Sequence, residues 1–366
     1  MIINIELLKI YWLVILAILI IFTFLRFYLA MWWKKEGAVK YNLENKKITV
    51  IVPCKGVDLE FERNIKSLIN QSFKGFHIVS VVDSMDDPAV EILRNNQLEV
   101  ICSDRKFKGS GKVAAISTAI EKYSQSDIFI LLDSDTYVDN TWLKNLVSPL
   151  GDGSVGAVST YPFYDPVGKG NLWDYIKKTW GYLGINMMEF KPTRFVWGGS
   201  VAFRKDLIFP ENFQRFSQSV SDDSQITLFC KEKGLDIAYA HKTRPIVYVN
   251  ETRSSFMEWS NRQVAISISH SKKALYAGIT IYGLMIAYLI ALIPLSIFVW
   301  DIFLLGYLPW LLNILFNISR EKKGISMIFL ASVLLPFIYF INMVKGSRSN
   351  HIIWRGKKYK LKNDKV

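Results

Sequence analysis

Ile128-Phe129-Ile130-Leu131-Leu132-Asp133-Ser134-Asp135 is the stretch from which the rest of the chain can be read. Five apolar residues, three of them β-branched or aromatic, have the length and composition of a buried strand, and the run stops at two carboxylates separated by one serine. Such a strand delivers the carboxylates to the edge of a sheet. In open α/β sheets ligands sit beyond the carboxyl ends of the strands, so charge-demanding chemistry is expected at this edge. Two acids so close repel each other unless a cation joins them. Hard oxygen ligands suit Mg2+ or Mn2+, which bind through one or two carboxylates together with substrate phosphates. The plainer alternative is a strand followed by an Asp-rich turn.

Around this stretch, from Lys47 to about Ser271, short β-type runs alternate with helical patterns, as in an α/β domain. Strands are predicted at 48–53, 77–83 and 99–102, and helices at 59–70, 90–95 and 112–123. Charged residues fall where the strands end: Lys55, Asp83, Asp104 and Asp133. Lys108-Gly109-Ser110-Gly111-Lys112 invites a phosphate-loop reading, but that pattern requires Gly where Lys106 stands and Ser or Thr where Val113 stands. A flexible glycine turn that starts a helix and offers Lys112 to a diphosphate is the better account.

The 366 residues are 51% hydrophobic with a mean hydropathy of +0.19, too apolar for an ordinary soluble enzyme. The excess lies at the ends. Residues 10–33 carry one charge, Arg26, and are long enough to cross a bilayer; Glu6 ahead and Trp32-Trp33 behind favour an uncleaved anchor over a signal peptide. Apolar stretches at 274–300, 302–318 and 325–344 form a C-terminal membrane region. Of the net charge of +13, +7 falls in residues 345–366, beside a membrane segment, so the basicity is explained by lipid and topology and no nucleic-acid partner is expected. Cys54, Cys102 and Cys230 show no paired spacing, and neither a zinc site nor disulfides are expected.

The same charges set an orientation. Lys34, Lys35, Lys40, Lys46 and Lys47 place the middle domain in the cytoplasm. Lys272-Lys273, Arg320 to Lys323 and the tail also look cytoplasmic, and three full crossings cannot satisfy all of them. One stretch fails to span: either 302–318, which is short and holds Pro309, or 325–344, which holds Pro336. Residues 171–190 place Lys177-Lys178 among aromatic and aliphatic residues, either as an amphipathic helix in the bilayer surface or as a packed core helix.

Several segments, in order, resemble one family. Val52-Pro53-Cys54-Lys55-Gly56-Val57-Asp58, then Val82-Asp83-Ser84-Met85-Asp86-Asp87-Pro88-Ala89, then Leu132 to Asp135 look like the ceramide glucosyltransferases and their bacterial relatives among the GT-A, family-2-like membrane glycosyltransferases. Residues 199–207, ending in Arg204-Lys205-Asp206-Leu207, are similar to that family's acceptor-side segment. Val220-Ser221-Asp222-Asp223 resembles its third acidic motif, and Trp354 to Tyr359 its basic tail. The resemblance implies a GT-A (nucleotide-diphospho-sugar transferase) α/β domain with N-terminal and C-terminal transmembrane helices. It gives Asp83 to the nucleobase end of the donor, Lys112 and Asp133 to its diphosphate and ribose, and Asp135, with Asp133, to a Mn2+ or Mg2+ ion.

It also makes Asp223 the general base toward an acceptor hydroxyl, with inversion at the sugar. Read without it, Asp222-Asp223 is a helix N-cap pair ahead of residues 225–233, and both roles can hold. Where the family ends its core with Arg-Trp, this chain has Glu258-Trp259, which leaves Arg262 or Arg253 to reach the diphosphate. By contrast Asp135 completes an Asp-x-Asp that animal ceramide glucosyltransferases lack.

The organisation expected is an anchor at 1–33, a basic linker at 34–47, a cytoplasmic GT-A catalytic domain at 48–271, a membrane region at 272–344 and a basic cytoplasmic tail at 345–366. The expected activity is transfer of a hexose from a nucleotide diphosphate sugar, UDP-glucose or similar, to a lipid hydroxyl at the cytoplasmic membrane face. A processive polysaccharide synthase and a catalytically inactive membrane scaffold are the alternatives.

Overall fold

A computed structural model describes residues 5–33, 45–104, 106–269, 272–348, 351–354 and 357–360. Lys34, Lys35 and Lys40 of the expected linker, and Arg355-Gly356 and residues 361–366 of the tail, lie outside the described residues. Two compact units emerge: an α/β unit of residues 33–168 and 183–250, and a helical unit of residues 1–32, 169–182 and 251–366.

The chain opens with helix α1 (Ile5–Trp33). The α/β unit then runs β1 (Ile48–Pro53), α2 (Phe61–Ile69), β2 (His77–Val82), α3 (Ala89–Asn95), β3 (Glu99–Cys102), α4 (Gly111–Lys122) and β4 (Ile128–Leu132). After these come β5 (Thr136–Tyr137), α5 (Trp142–Val147), β6 (Val155–Ser159), β7 (Phe163–Pro166), α6 (Leu172–Glu189), β8 (Ser200–Arg204), α7 (Phe213–Ser217), α8 (Asp222–Glu232), β9 (Asp236–Tyr239) and β10 (Ile246–Val249). The main sheet has the order β3-β2-β1-β4-β8-β6-β9, parallel from β3 through β4 and antiparallel at β4–β8 and β8–β6. A smaller sheet has the order β5-β10-β7.

All five residues of β4 are buried. Ile128, Ile130 and Leu132 enter one core with Phe61, Leu93 and Trp142, whereas Phe129 and Leu131 enter the opposite core with Ile116, Phe203 and Phe229. Alternate side chains thus meet different helical layers, which is why the strand reads as an unbroken apolar run. Because β4 is central, with β1 and β8 as its hydrogen-bonded neighbours, its carboxyl end is held from both sides.

The helical unit contains α1, the first part of α6, α9 (Arg253–Ser269), α10 (Lys272–Phe298), a 3-10 turn at Asp301–Tyr307, α11 (Leu308–Ile318) and α12 (Ile325–Ser347). A hairpin of β11 (His351–Trp354) and β12 (Lys357–Lys360) follows. Among the described residues, four segments are long and apolar enough to cross a membrane: Lys9–Leu29, Leu275–Phe298, Asp301–Ile318 and Ile325–Ser347. The third is no continuous α-helix, because Pro309 sits in the first turn of α11 and the seven residues before it form the 3-10 turn. Tyr288 and Tyr307 fasten that turn to α10 through hydrogen bonds to the carbonyls of Gly306 (3.1 Å) and Leu289 (2.6 Å).

Of the two readings of residues 171–190, the packed helix is what forms in the helical unit. Ile176 and Trp180 are buried, Lys177 pairs with Glu251 at 2.6 Å, and Lys178 pairs with Glu321 at 3.0 Å, none of the four charged side chains more than 11% exposed. The lysines are internal ties and not a polar face turned to headgroups.

Behind β8, the fully buried Trp142 indole donates to Ser200 Oγ at 2.8 Å. Ser200→Ala strands that N–H without a partner, and we expect a loss of ~1–3 kcal/mol in denaturant unfolding, larger than for Ser254→Ala on the exposed start of α9.

Candidate active site

Strands β1, β2 and β4 run parallel and end at one edge of the main sheet. There Lys55 and Asp83, following β1 and β2, face each other at 3.3 Å. Asp133 and Asp135 follow β4. The Asp133 amide donates to Gly199 O at 3.1 Å and its carbonyl accepts from Thr136 N at 3.1 Å, a tight turn that fixes both carboxylates. Ser134, between them, is buried and donates to Asp58 at 2.5 Å, while its carbonyl accepts from Asn64 at 3.2 Å. Asp58, in the segment after β1, is thereby part of the support for the Asp133–Asp135 turn.

Lys112 is brought in by the glycine turn. Ser110 caps α4 by accepting from Val113 N at 3.2 Å. The turn is closely packed: Gly109 N and Ser110 N donate to Ser217 O and Ser219 O, and a Cβ on Gly109 would lie 2.6 Å from Ser219 O. Only glycine allows this approach. It ties the start of α4 to the segment that leads into α8.

Lys112 Nζ then lies 2.7 Å from Asp133, 3.3 Å from Asp222 and 3.3 Å from the Gly198 carbonyl. Asp222 and Asp223 occupy the first turn of α8, and the cap is Ser221, which accepts from Ser224 N at 3.2 Å. The two acids are therefore inside the helix and not its cap, a placement that favours negative charge through the helix dipole. Asp223 accepts from Ser221 Oγ and, at 2.7 Å, from Ser224 N.

The electrostatics follow from burial. Desolvation works against the Lys112 ammonium, but Asp133, Asp222 and Asp223 together outweigh it and hold its pKa above that of free lysine. Burial pushes the Asp133 carboxyl above the usual range, with Lys112 opposing and Asp222 and Asp58 adding to the rise. It raises Asp223 likewise, reinforced by Asp222 and opposed by Ser221 and Lys112. The buried Tyr161 hydroxyl is also raised, by burial and then by the Asp223 charge. Three carboxylates thus share one ammonium, with Asp135 close by in sequence.

That balance bears on a metal. Among the described residues no three His, Cys, Asp or Glu side chains form a ready metal cage. The oxygen donors of Asp133 and Asp135 nonetheless suit a hard divalent cation that keeps water and takes phosphate oxygens as further ligands. An excess of carboxylate over ammonium would repel a diphosphate unless such a cation came with it, so the residues fit the ion.

The edge thus unites Lys112, Asp133, Asp222 and Asp223, with Asp135 in the same turn as Asp133 and Asp83 following β2. Trp259 and Arg262 belong to the helical unit, on α9. There Trp259 packs on Trp180, ring centroids 4.8 Å apart, with Lys177 Nζ 4.5 Å from its centroid. The sequence named Asp222 only beside Asp223, and its place as the second carboxylate on Lys112 comes from the structure. Two further residues were not read from the sequence: Gly198, where a Cβ would lie 2.1 Å from Asp222 Oδ2, and Tyr161, whose hydroxyl feels the Asp223 charge. The Gly198-Gly199 pair directly before a strand was the available signal for close approach.

The glycosyl transferase family 21 model matches residues 12–366. An uncharacterised glycosyltransferase of Haemophilus influenzae is 24% identical over 245 residues, 64% of this chain and 92% of the relative. Among solved structures, the mannosyltransferase PcManGT of Pyrobaculum calidifontis, in complex with GDP-Man and Mn2+, superposes with a TM-score of 0.50 at 15% identity, covering 94% of this chain and 97% of that one. The GT-A architecture expected from the sequence is therefore the one observed, and the chain is a glycosyltransferase that belongs to glycosyl transferase family 21.

Proposed function

We propose that this enzyme transfers a hexose from a nucleotide diphosphate sugar to a hydroxyl of a membrane lipid at the cytoplasmic face, inverting the anomeric centre. The observation that carries the reading is Asp223, held in the first turn of α8 beside the Lys112–Asp133–Asp222 cluster. A base and a cationic leaving-group site in one cluster are what in-line displacement requires. The four apolar segments among the described residues support a lipid acceptor, and the likeness to a mannosyltransferase solved with GDP-Man and Mn2+ supports a nucleotide diphosphate sugar donor.

In this reading Asp223 accepts the proton of the acceptor hydroxyl as its oxygen bonds to the anomeric carbon, while the bond from that carbon to the diphosphate oxygen breaks on the opposite side. Lys112 meets the negative charge that gathers on the departing diphosphate. Its ion pair with Asp133 fixes the ammonium before the donor arrives, so little reorganisation accompanies the reaction. Asp135, with Asp133, would hold a divalent cation, which when bound neutralises diphosphate charge. Asp83 and Lys55 would meet the nucleoside end, and the donor-binding roles given to Arg262 and Trp259 rest on the family resemblance alone.

Purified protein incubated with a mixed lipid extract and a panel of labelled nucleotide sugars should yield one glycolipid from one donor. A ladder of growing glycans would point to a synthase instead, and no product from any donor would remove the reading. Asp223→Asn keeps an oxygen for the Ser221 and Ser224 hydrogen bonds and relieves repulsion with Asp222. It should lower kcat by ~10²–10⁴-fold with no loss of thermal stability.

The pH profile follows from the raised Asp223 pKa. A carboxyl is a base only above its pKa, so kcat/KM should fall as pH drops through a limb displaced above the ordinary aspartate range, and that limb should vanish in residual Asp223→Asn activity. Chelation with EDTA should abolish transfer, with Mn2+ or Mg2+ restoring it. Asp135→Ala should raise the metal concentration needed for half-restoration by ~10-fold or more.

A further inference from the structure

We propose that α12 lies along the membrane surface instead of crossing the bilayer, with both of its ends on the side that carries α6 and α9. Length and composition alone favour a crossing, since Ile325–Ser347 is 23 residues long and apolar. Its surroundings argue otherwise: 39% of its apolar window is buried inside the protein, against 6% for Leu275–Phe298 and 11% for Lys9–Leu29.

Each end is tied to a helix of the same unit, the first to α6 and the second to α9. Just before α12, Glu321 forms its nearly buried ion pair with Lys178 of α6, and Gly324 lies against the Tyr175 ring. Near its other end, Asn342 donates to Ser260 Oγ at 3.0 Å and to Asn261 Oδ1 at 2.9 Å on α9, and Gly346 lies against Val264. Between them, the Tyr339 hydroxyl donates to Trp180 O of α6 at 2.7 Å. At ~1.5 Å per residue the two ends are about 33 Å apart, close to the thickness of the hydrocarbon core.

A crossing α12 would therefore place one of these anchor sets on the far side. Residues 169–182 depart from the α/β unit and rejoin it, and a crossing and return would need ~20 residues each way. Helix α9 joins the α/β unit to α10 and carries Arg253, Glu258 and Arg262, charges that a spanning helix excludes. Both anchoring helices thus stand on one side, and α12 with them.

The two faces of α12 suit a bilayer surface. Ser332, Tyr339 and Asn342 point inward, whereas Ile325, Phe329, Leu330, Phe337 and Ile341 are exposed. The apolar outer face fits the outer part of the hydrocarbon, and Lys322, Lys323, Lys345 and Arg348 at the two ends fit anionic headgroups. The placement also resolves the charge parity of the sequence. Helix α10 and Asp301–Ile318 make the two crossings, and Lys272-Lys273, Arg320 to Lys323, Lys345 and Arg348 share one side.

Sealed membrane vesicles of both orientations test this with a membrane-impermeant thiol reagent. In a Cys102→Ser background, which leaves only the buried Cys54 and Cys230, single variants Lys323→Cys, Ser347→Cys and the α9 reference Ser254→Cys are labelled. All three should react in one vesicle orientation and none in the other until detergent is added. Labelling of Lys323→Cys and Ser347→Cys in opposite orientations would overturn the proposal. A fluorophore at Phe337→Cys should be quenched more by lipids carrying a doxyl group near the headgroup than near the chain end. The reverse order would mean a mid-bilayer position and a crossing helix, and no quenching by either would mean a protein-covered face, each of which overturns it.

Discussion

One ammonium holds the active edge together. Lys112 is placed against Asp133, Asp222 and Asp223, three carboxylates that β4 and α8 bring to one place and that would repel each other without it. Taking such charges out of water costs several kcal/mol per ion, and that cost is offset only when every charge has a partner in good geometry. The turn that delivers Lys112 is correspondingly strict: Gly109 sits where a side chain would strike the Ser217 and Ser219 carbonyls, and Gly198 where one would strike Asp222. The glycines, the capped start of α4 and the capped start of α8 are consequences of needing one cation at one point.

The rigidity behind that point comes from β4. Its side chains divide between two cores, and its neighbours β1 and β8 run in opposite directions beside it. A strand gripped on both faces and both edges cannot shift its register without moving apolar residues out of both cores, so the carboxylates at its end inherit its fixed position. The raised pKa values of Asp133 and Asp223 are the electrostatic counterpart of this arrangement. Protonation relieves the crowding in the resting site, and a divalent cation would relieve it equally, so metal binding and proton release are expected to be linked.

The helical unit uses charge differently. Lys177–Glu251 and Lys178–Glu321 are nearly closed to solvent and join segments far apart in sequence, which makes them devices of register more than of stability. Helix α12 is apolar on its exposed side and sets Ser332, Tyr339 and Asn342 among apolar residues such as Ile328, Ala331 and Ile338 on its buried side. Polar groups in that setting select neighbours because each must find a partner, whereas apolar side chains are equally content against lipid or protein.

By itself the sequence determined the elements whose cause is local. The apolar run ending in Asp133, the strands at 48–53 and 99–102, the alternation of strand and helix, and the four apolar segments were legible because burial period, turn residues and span length are properties of contiguous residues. The family motifs added the GT-A fold and drew attention to Asp83, Lys112, Asp133 and Asp223. Tertiary structure alone decided which charges meet. That Asp222 shares Lys112, that Lys177 and Lys178 are internal, and that α12 is held at one end by α6 and at the other by α9 all depend on residues tens to more than a hundred positions apart. Hydropathy records how much apolar surface a segment carries, but what covers that surface is fixed only when the chain has folded.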